Sequence, residues 1–90
     1  MKHVTAARFW KSFNDLPIEI QKIAREKFAL FSENPYHPSL RTKKREGNDE
    51  IWEGHISLGY VFTFRYAIRD NERVIESLDI GKHDVVYNRI

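Results

Sequence analysis

The chain has no cysteine in its 90 residues. That absence excludes a disulfide scaffold, a thiolate zinc site and a cysteine nucleophile together, and it fits a cytoplasmic protein best. Glycine and proline are scarce, at four and three residues, so no linker rich in either divides the chain, and no segment repeats or falls to low complexity. Long apolar runs are missing as well. The longest uncharged stretch, Ile56 to Phe64, falls far short of the ~20 residues of a membrane span, and residues 1–10 carry no run of signal-peptide length. Neither secretion nor membrane insertion is expected. No glycine-rich phosphate loop, histidine-rich metal motif or nucleophile elbow occurs, so neither a metal nor an organic cofactor is implied.

What is present suits one small domain over residues 1–90. Hydrophobic residues make up 41% of the chain, with two Trp, four Tyr and six Phe among them, which argues against intrinsic disorder. The core of so short a chain buries only about 60 to 65% of its unfolded surface, so reliance on a partner is expected. A formal net charge of +2 is too slight by itself to imply nucleic acid. Its distribution says more: Arg41, Lys43, Lys44 and Arg45 put four positive charges in five residues.

Periodicity divides the chain into a helical half and a strand half. After a short strand at Lys2 to Val4, Ala6, Phe9, Trp10 and Phe13 form the stripe of an amphipathic helix over Ala6 to Asn14, with Trp10 assigned to the core. Pro17 suits the first turn of a second helix. From there to Ser32 the residues Ile20, Ile23, Ala24, Phe28 and Phe31 recur at helical spacing. Pro35 and Pro38 end it, leaving His37 in a surface loop, while His3 is expected in a loosely held terminus. Beyond residue 50 the period becomes two. Strands are predicted at Ile51–Ser57, Tyr60–Arg69 after a tight Leu58-Gly59 turn, and Arg73–Ile80 after Asp70 to Glu72, forming an antiparallel meander. On the middle strand Tyr60, Phe62, Phe64, Tyr66 and Ile68 point toward the helices. Val61, Thr63, Arg65, Ala67 and Arg69 point to a partly polar face open to solvent or ligand. The fold class is α+β, two N-terminal helices on a mainly antiparallel sheet.

That polar face is where chemistry is expected. Glu53 and His55 share one side of their strand, Arg65 lies on the middle strand, and Lys82, His83, Asp84 and Tyr87 follow the third. The set offers acids or bases (His83, Glu53, His55), cations for a phosphoryl group (Arg65, Lys82) and a further proton carrier or stacking ring (Tyr87). RNA can be cut with such parts and no metal, if a base removes the ribose 2′-OH proton, cations stabilise the phosphorane and an acid protonates the leaving oxygen. Plainer readings stand beside these. His83 between Gly81-Lys82 and Asp84 can be a turn residue, Arg65 and Glu53 can form an exposed cross-strand ion pair, and Arg41 to Arg45 can be a solvated strand instead of a phosphate rail.

Over nearly its full length the sequence resembles the RelE/ParE superfamily of toxins from bacterial and archaeal toxin–antitoxin systems. The resemblance is carried by "FNDLPIEIQKIAREKFALFSENPYHPSLRTKK", by "IWEGHI" and "GYVFTF", and by the closing "LDIGKHDVVY". It implies a RelE/ParE-like fold ending in a short C-terminal helical turn. It also implies a metal-independent endoribonuclease that cuts mRNA, often on the ribosome, and a cognate antitoxin that blocks it in a hetero-oligomer. "GKHDVVY" resembles the nuclease branch, in which a histidine and a following tyrosine take part in cleavage, and so points to His83 and Tyr87. Many active relatives have arginine where this chain has Val61, and another where it has His55. Arg65 faces the same way as Val61 but lies roughly 13 Å further along the strand. Some relatives keep a basic carboxylate near Glu53. Arg65, Lys82 and His55 are then the expected phosphate clamp, and Arg41, Lys43, Lys44 and Arg45 the RNA contacts. Gyrase-poisoning members share the fold without cutting RNA, so the alternative is a non-cleaving binding module or a decayed toxin. An RNA-binding domain without cleavage is a third reading.

Overall fold

The computed structural model describes residues 2–45 and 47–88. Strand β1 (Lys2–Thr5) leads into helices α1 (Ala7–Asn14) and α2 (Ile18–Glu33), then a 3-10 turn (Pro38–Leu40). Strands β2 (Lys43–Arg45), β3 (Asn48–Ser57), β4 (Tyr60–Arg69) and β5 (Glu72–Lys82) follow, with helix α3 (His83–Asn88) at the end. The sheet order is β1-β5-β4-β3-β2. The meander β3-β4-β5 is antiparallel as predicted, β2 extends it on one edge, and β1 closes the other edge in parallel with β5. No helix among the described residues is long and apolar enough to cross a membrane.

Alternation along β4 sets the core. Phe62 and Phe64 are fully buried and meet Phe31 of α2, each at 4.9 Å between ring centroids. Phe28 adds a contact to Phe62 at 4.8 Å, and Phe9 of α1 packs edge-on against Phe28 at 4.9 Å. Each such pair adds about 0.5–1.5 kcal/mol beyond the area it buries, which matters in a domain whose core is this small. Helix α1 runs beside β5 and α2 beside β3, so both helices cover one face of the sheet.

Several expectations are corrected at this level. Trp10 is not in the core but 55% exposed. On an eight-residue helix Phe9 and Phe13 take the inward line, and Trp10, about 100° round from Phe9, lies on its flank, edge-on to both rings. His3 is not in a loose terminus. It pairs with Ile75 in β1 and sits half-buried, its ring edge-on to Phe31 at 5.3 Å. The third meander strand is longer than Arg73–Ile80, because backbone pairing continues through Gly81 and Lys82. His37 is in the loop as expected and caps the 3-10 turn, its Nδ1 accepting from the Ser39 amide.

The largest correction concerns the second face of the sheet. Val61, Thr63, Glu53 and Asp79 all lie there and all are buried. Helix α3 folds back across β4 and β5, with its own Val86 fully buried. The expected open polar surface is therefore a narrower cleft beside α3.

Gly54 shows how tightly the first face is packed. A Cβ there would lie 2.3 Å from two atoms of the Phe62 ring. Gly54→Ala is expected to cost about 1–3 kcal/mol of stability through overpacking, read as a lower denaturation midpoint in urea. Combined with Phe62→Leu, the cost should be less than the sum of the two single changes, because the two sites touch.

Candidate active site

Strand register assembles the site. Lys43 stands opposite Glu53, Glu53 opposite Thr63 and Thr63 opposite Asp79. Directly opposed residues share a face, so these four form one row across β2, β3, β4 and β5. The next row is His55, Val61 and Gly81. Immediately after β5 the chain turns into α3, held there by the His83 amide donating to Gly59 O at 2.8 Å, and this carries the His83 ring over Glu53.

Glu53 is the centre of the arrangement. Its side chain is 6% exposed, with Oε1 3.2 Å from Lys43 Nζ and Oε2 3.7 Å from His83 Nε2. The latter separation is outside hydrogen-bond range, and among the described residues Oε2 has no hydrogen-bond partner. Thr63 Oγ1, in the same row, is likewise buried without one. A buried polar oxygen left in this state costs about 1–3 kcal/mol. Lys43 and His83, by contrast, reach solvent. A buried carboxylate thus holds two accessible cationic or titratable groups, one on each of its oxygens.

Two further groups adjoin His83. Asp84 Oδ1 lies 3.7 Å from Nδ1. The Tyr87 ring, one turn on along α3, stacks on the imidazole at 4.0 Å between centroids and a 30° tilt. Arg45 completes the stack, its Cζ 4.1 Å from the Tyr87 centroid and its Nη2 donating to Tyr87 O at 3.0 Å.

His55 lies in a cleft of about 300 Å³ with Arg41, Lys43, Glu53, Gly54 and Val61. Burial lowers its pKa below the usual 6.5, and the positive charges of Arg41 and Lys27 lower it further. The ring is therefore neutral at pH 7. Lys82 is exposed and lines a separate shallow cleft of about 250 Å³ with the Leu58-Gly59 turn and His83.

Not every expected residue joins this cluster. Arg65 forms its ion pair with Glu76 at 2.7 Å, not with Glu53, and Arg69 holds the other oxygen of Glu76 at 3.1 Å. It faces the same side as Thr63, but Glu76 draws its guanidinium along β5. The basic run is divided as well. Lys43 and Arg45 turn to the site, whereas Lys44 points to the opposite face and lies 5.7 Å from the Trp52 ring centroid. Arg41 caps the 3-10 turn with left-handed backbone, φ 46°, which brings it to the His55 cleft. Sequence reasoning missed the central place of Lys43. Strand alternation could have put Lys43 and Arg45 on one face, but their partners depend on the β2–β3 register, which shifts between Lys44 and Arg45.

No family model matches the chain, and no curated protein matches it in sequence. In structure it is similar to toxins. A chain of a RelB-RelE antitoxin-toxin complex from Methanococcus jannaschii aligns at a TM-score of 0.71 and 15% identity, over 97% of this chain and 98% of that one. A YoeB/ParE toxin from Agrobacterium tumefaciens gives 0.69 and 15%, over 92% and 99%. YafQ from E. coli gives 0.68 and 10%, over 96% and 97%. The fold is that of the RelE/ParE toxins.

The depressed His55 pKa has a consequence for stability. The unfolded chain binds a proton at His55 more readily than the folded chain, so stability rises with pH through this group. It is fully present above about pH 6.5 and is lost as pH falls toward the lower folded value. Urea unfolding at pH 7.5 and pH 5.5 should show a decrease on acidification, and His55→Gln should make that decrease smaller. An unchanged slope in the variant would remove His55 as its source.

Proposed function

We propose that this chain is the toxin of a toxin–antitoxin pair and an endoribonuclease acting on mRNA. The observation that carries this reading is the Glu53 carboxylate holding His83 on one oxygen and Lys43 on the other at the mouth of a cation-lined cleft. In-line attack of a ribose 2′-OH on the adjacent phosphorus needs a base on one side and an acid on the opposite side. His83 takes the 2′-OH proton as the O2′–P bond forms, and Glu53 beneath it stabilises the resulting imidazolium. The Lys43 ammonium stabilises the charged phosphorane and gives a proton to O5′ as the P–O5′ bond breaks. The products are a 2′,3′-cyclic phosphate and a free 5′-hydroxyl.

Other residues take supporting roles. Arg41 and neutral His55 line the phosphate side of the cleft, and Lys82 extends the positive surface past His83. Tyr87 keeps the His83 ring in plane by stacking. Arg65 is left outside the cleavage step, since Glu76 engages its guanidinium. An antitoxin is the expected partner, in keeping with the RelB-RelE complexes the fold resembles, and the ribosome is the expected place of cleavage.

One observation favours the non-cleaving alternative. Val61 is buried at the cleft floor opposite His55, so β4 supplies no cation there. In this reading Lys43 provides that charge from β2 instead.

Induction of the chain beside a His83→Ala version, with RNA ends mapped within minutes, tests the proposal. Growth arrest with new mRNA ends, both lost in the variant, is the expected result. Arrest without cleavage turns the reading to a gyrase inhibitor, and no arrest turns it to a binding module. With purified protein, Glu53→Gln and Lys43→Met should each lower the cleavage rate by roughly 100- to 10,000-fold, the usual range for a lost acid or base. Glu53→Gln should cost less than about 1 kcal/mol of stability, because it removes a buried carboxylate whose second oxygen has no hydrogen bond. A large loss of stability in that variant would make Glu53 structural.

A further inference from the structure

We infer that Arg45 is a positioning residue for His83, acting through Tyr87, and is not one of the RNA-backbone contacts of the basic run. The inference rests on the proposed cleavage role of His83 for its kinetic consequence and on geometry alone for its structural one. Arg45 is half-buried, whereas Arg41, Lys43 and Lys44 are exposed. Its guanidinium lies 4.1 Å from the Tyr87 centroid, and the His83 ring lies 4.0 Å from the same centroid. A planar ring has two faces, and two groups at that height cannot share one. The order is therefore guanidinium, phenol ring, imidazole, and the Nε2 of that imidazole lies 3.7 Å from Glu53 Oε2.

The contact is more than a stack. Arg45 Nη2 donates to Tyr87 O at 3.0 Å across 42 positions of sequence. Tyr87 is next to last in α3, and the final carbonyls of a helix have no partner within it. Arg45 satisfies one of them, and a cation at that end is also favoured by the helix dipole. One side chain from β2 thus fixes both the ring of Tyr87 and the last turn of the helix that carries His83. Lysine cannot replace it. An ammonium lacks the flat surface that stacks on a ring and the fork that bonds the carbonyl at the same time. That separates the two roles for Arg45, because a phosphate contact tolerates lysine as a point charge.

The test uses purified chain and the variants Arg45→Lys, Arg45→Gln and Lys44→Gln. The His83 imidazole resonances are followed by NMR, and cleavage of a short RNA is measured across salt concentrations. Both Arg45 variants are expected to move the His83 ring resonances as the shielding from Tyr87 changes, and to lower kcat by about 100-fold, as a displacement of roughly 1 Å does. KM should stay as it was. Lys44→Gln should leave the His83 resonances in place. Arg45→Lys keeps the charge and the strand-forming stem, so it serves if Arg45→Gln melts early. Resonances unmoved in folded Arg45→Lys, or full kcat in that variant, would overturn the inference. A raised KM with a flatter salt dependence in Arg45→Gln would overturn it too, since that marks a phosphate contact. If the unaltered chain cuts no RNA, the nuclease reading falls, and the His83 resonances alone decide whether Arg45 holds the stack.

Discussion

The pairing register of β3, β4 and β5 is the constraint on which both faces of the sheet depend. Phe62 and Phe64 must lie against Phe28 and Phe31, and side chains alternate strictly along a strand. A slip of one residue would carry the entire phenylalanine set to the wrong face. The same register puts Glu53 opposite Thr63 and Lys43 opposite Glu53. Gly54 enforces it locally, since only a residue without Cβ fits beneath the Phe62 ring. The packing that makes the fold stable thereby aims its polar residues, and the site needs no separate device to bring β2, β3 and β4 into line.

The two faces are nevertheless unlike in energy. On the helix side the fully buried side chains are apolar, Gln21 near the start of α2 satisfies its amide on the Leu16 carbonyl, and pairs of rings meet at 4.8 to 6.2 Å. On the other side a four-residue row contains two carboxylates and a hydroxyl, all buried, and two of its oxygens have no hydrogen bond among the described residues. Replacing such groups with apolar side chains of similar shape is often neutral or stabilising in proteins. Stability therefore gives no reason for Glu53 and Thr63 to be where they are. Under the proposed function a reason appears, since Glu53 is placed between a solvent-accessible lysine and histidine.

How much of this was legible beforehand depended on the range of the interactions involved. Helix α2 and the meander were readable because their signals are local, a 3.6-residue period and then a two-residue period. Trp10 was misplaced because its stripe was drawn as though an eight-residue helix buried three aromatic positions, when the sheet below has room for two. The covering of the second face by α3 was invisible in a segment of six residues, whose direction is set by a hydrogen bond from His83 to Gly59. His83, Tyr87 and Glu53 were expected near one another and the structure brings them together, yet the pairing of Glu53 with Lys43 instead of Arg65 required register. Arg65 had a nearer carboxylate on β5, and Coulomb attraction at 2.7 Å decides such a contest.

The fold of the RelE/ParE toxins thus fixes where chemistry can occur without fixing its ingredients. At 10 to 15% identity the backbone superposes over more than nine-tenths of the chain, because alternation and a ring-filled core are satisfied by many sequences. A site is less forgiving, since each charge must be within reach of the same few atoms. With Val61 at the cleft floor, cations reach it from β2 and from the turn before it, through Lys43 and Arg41. A phosphate held there would be gripped from the sheet edge, beside α3, and the side chain that ties this edge to α3 is Arg45. Under the proposed function the edge strand, three residues long, carries more of the candidate site than the central strand does, and its sequence is where differences in activity between chains of this fold should be sought.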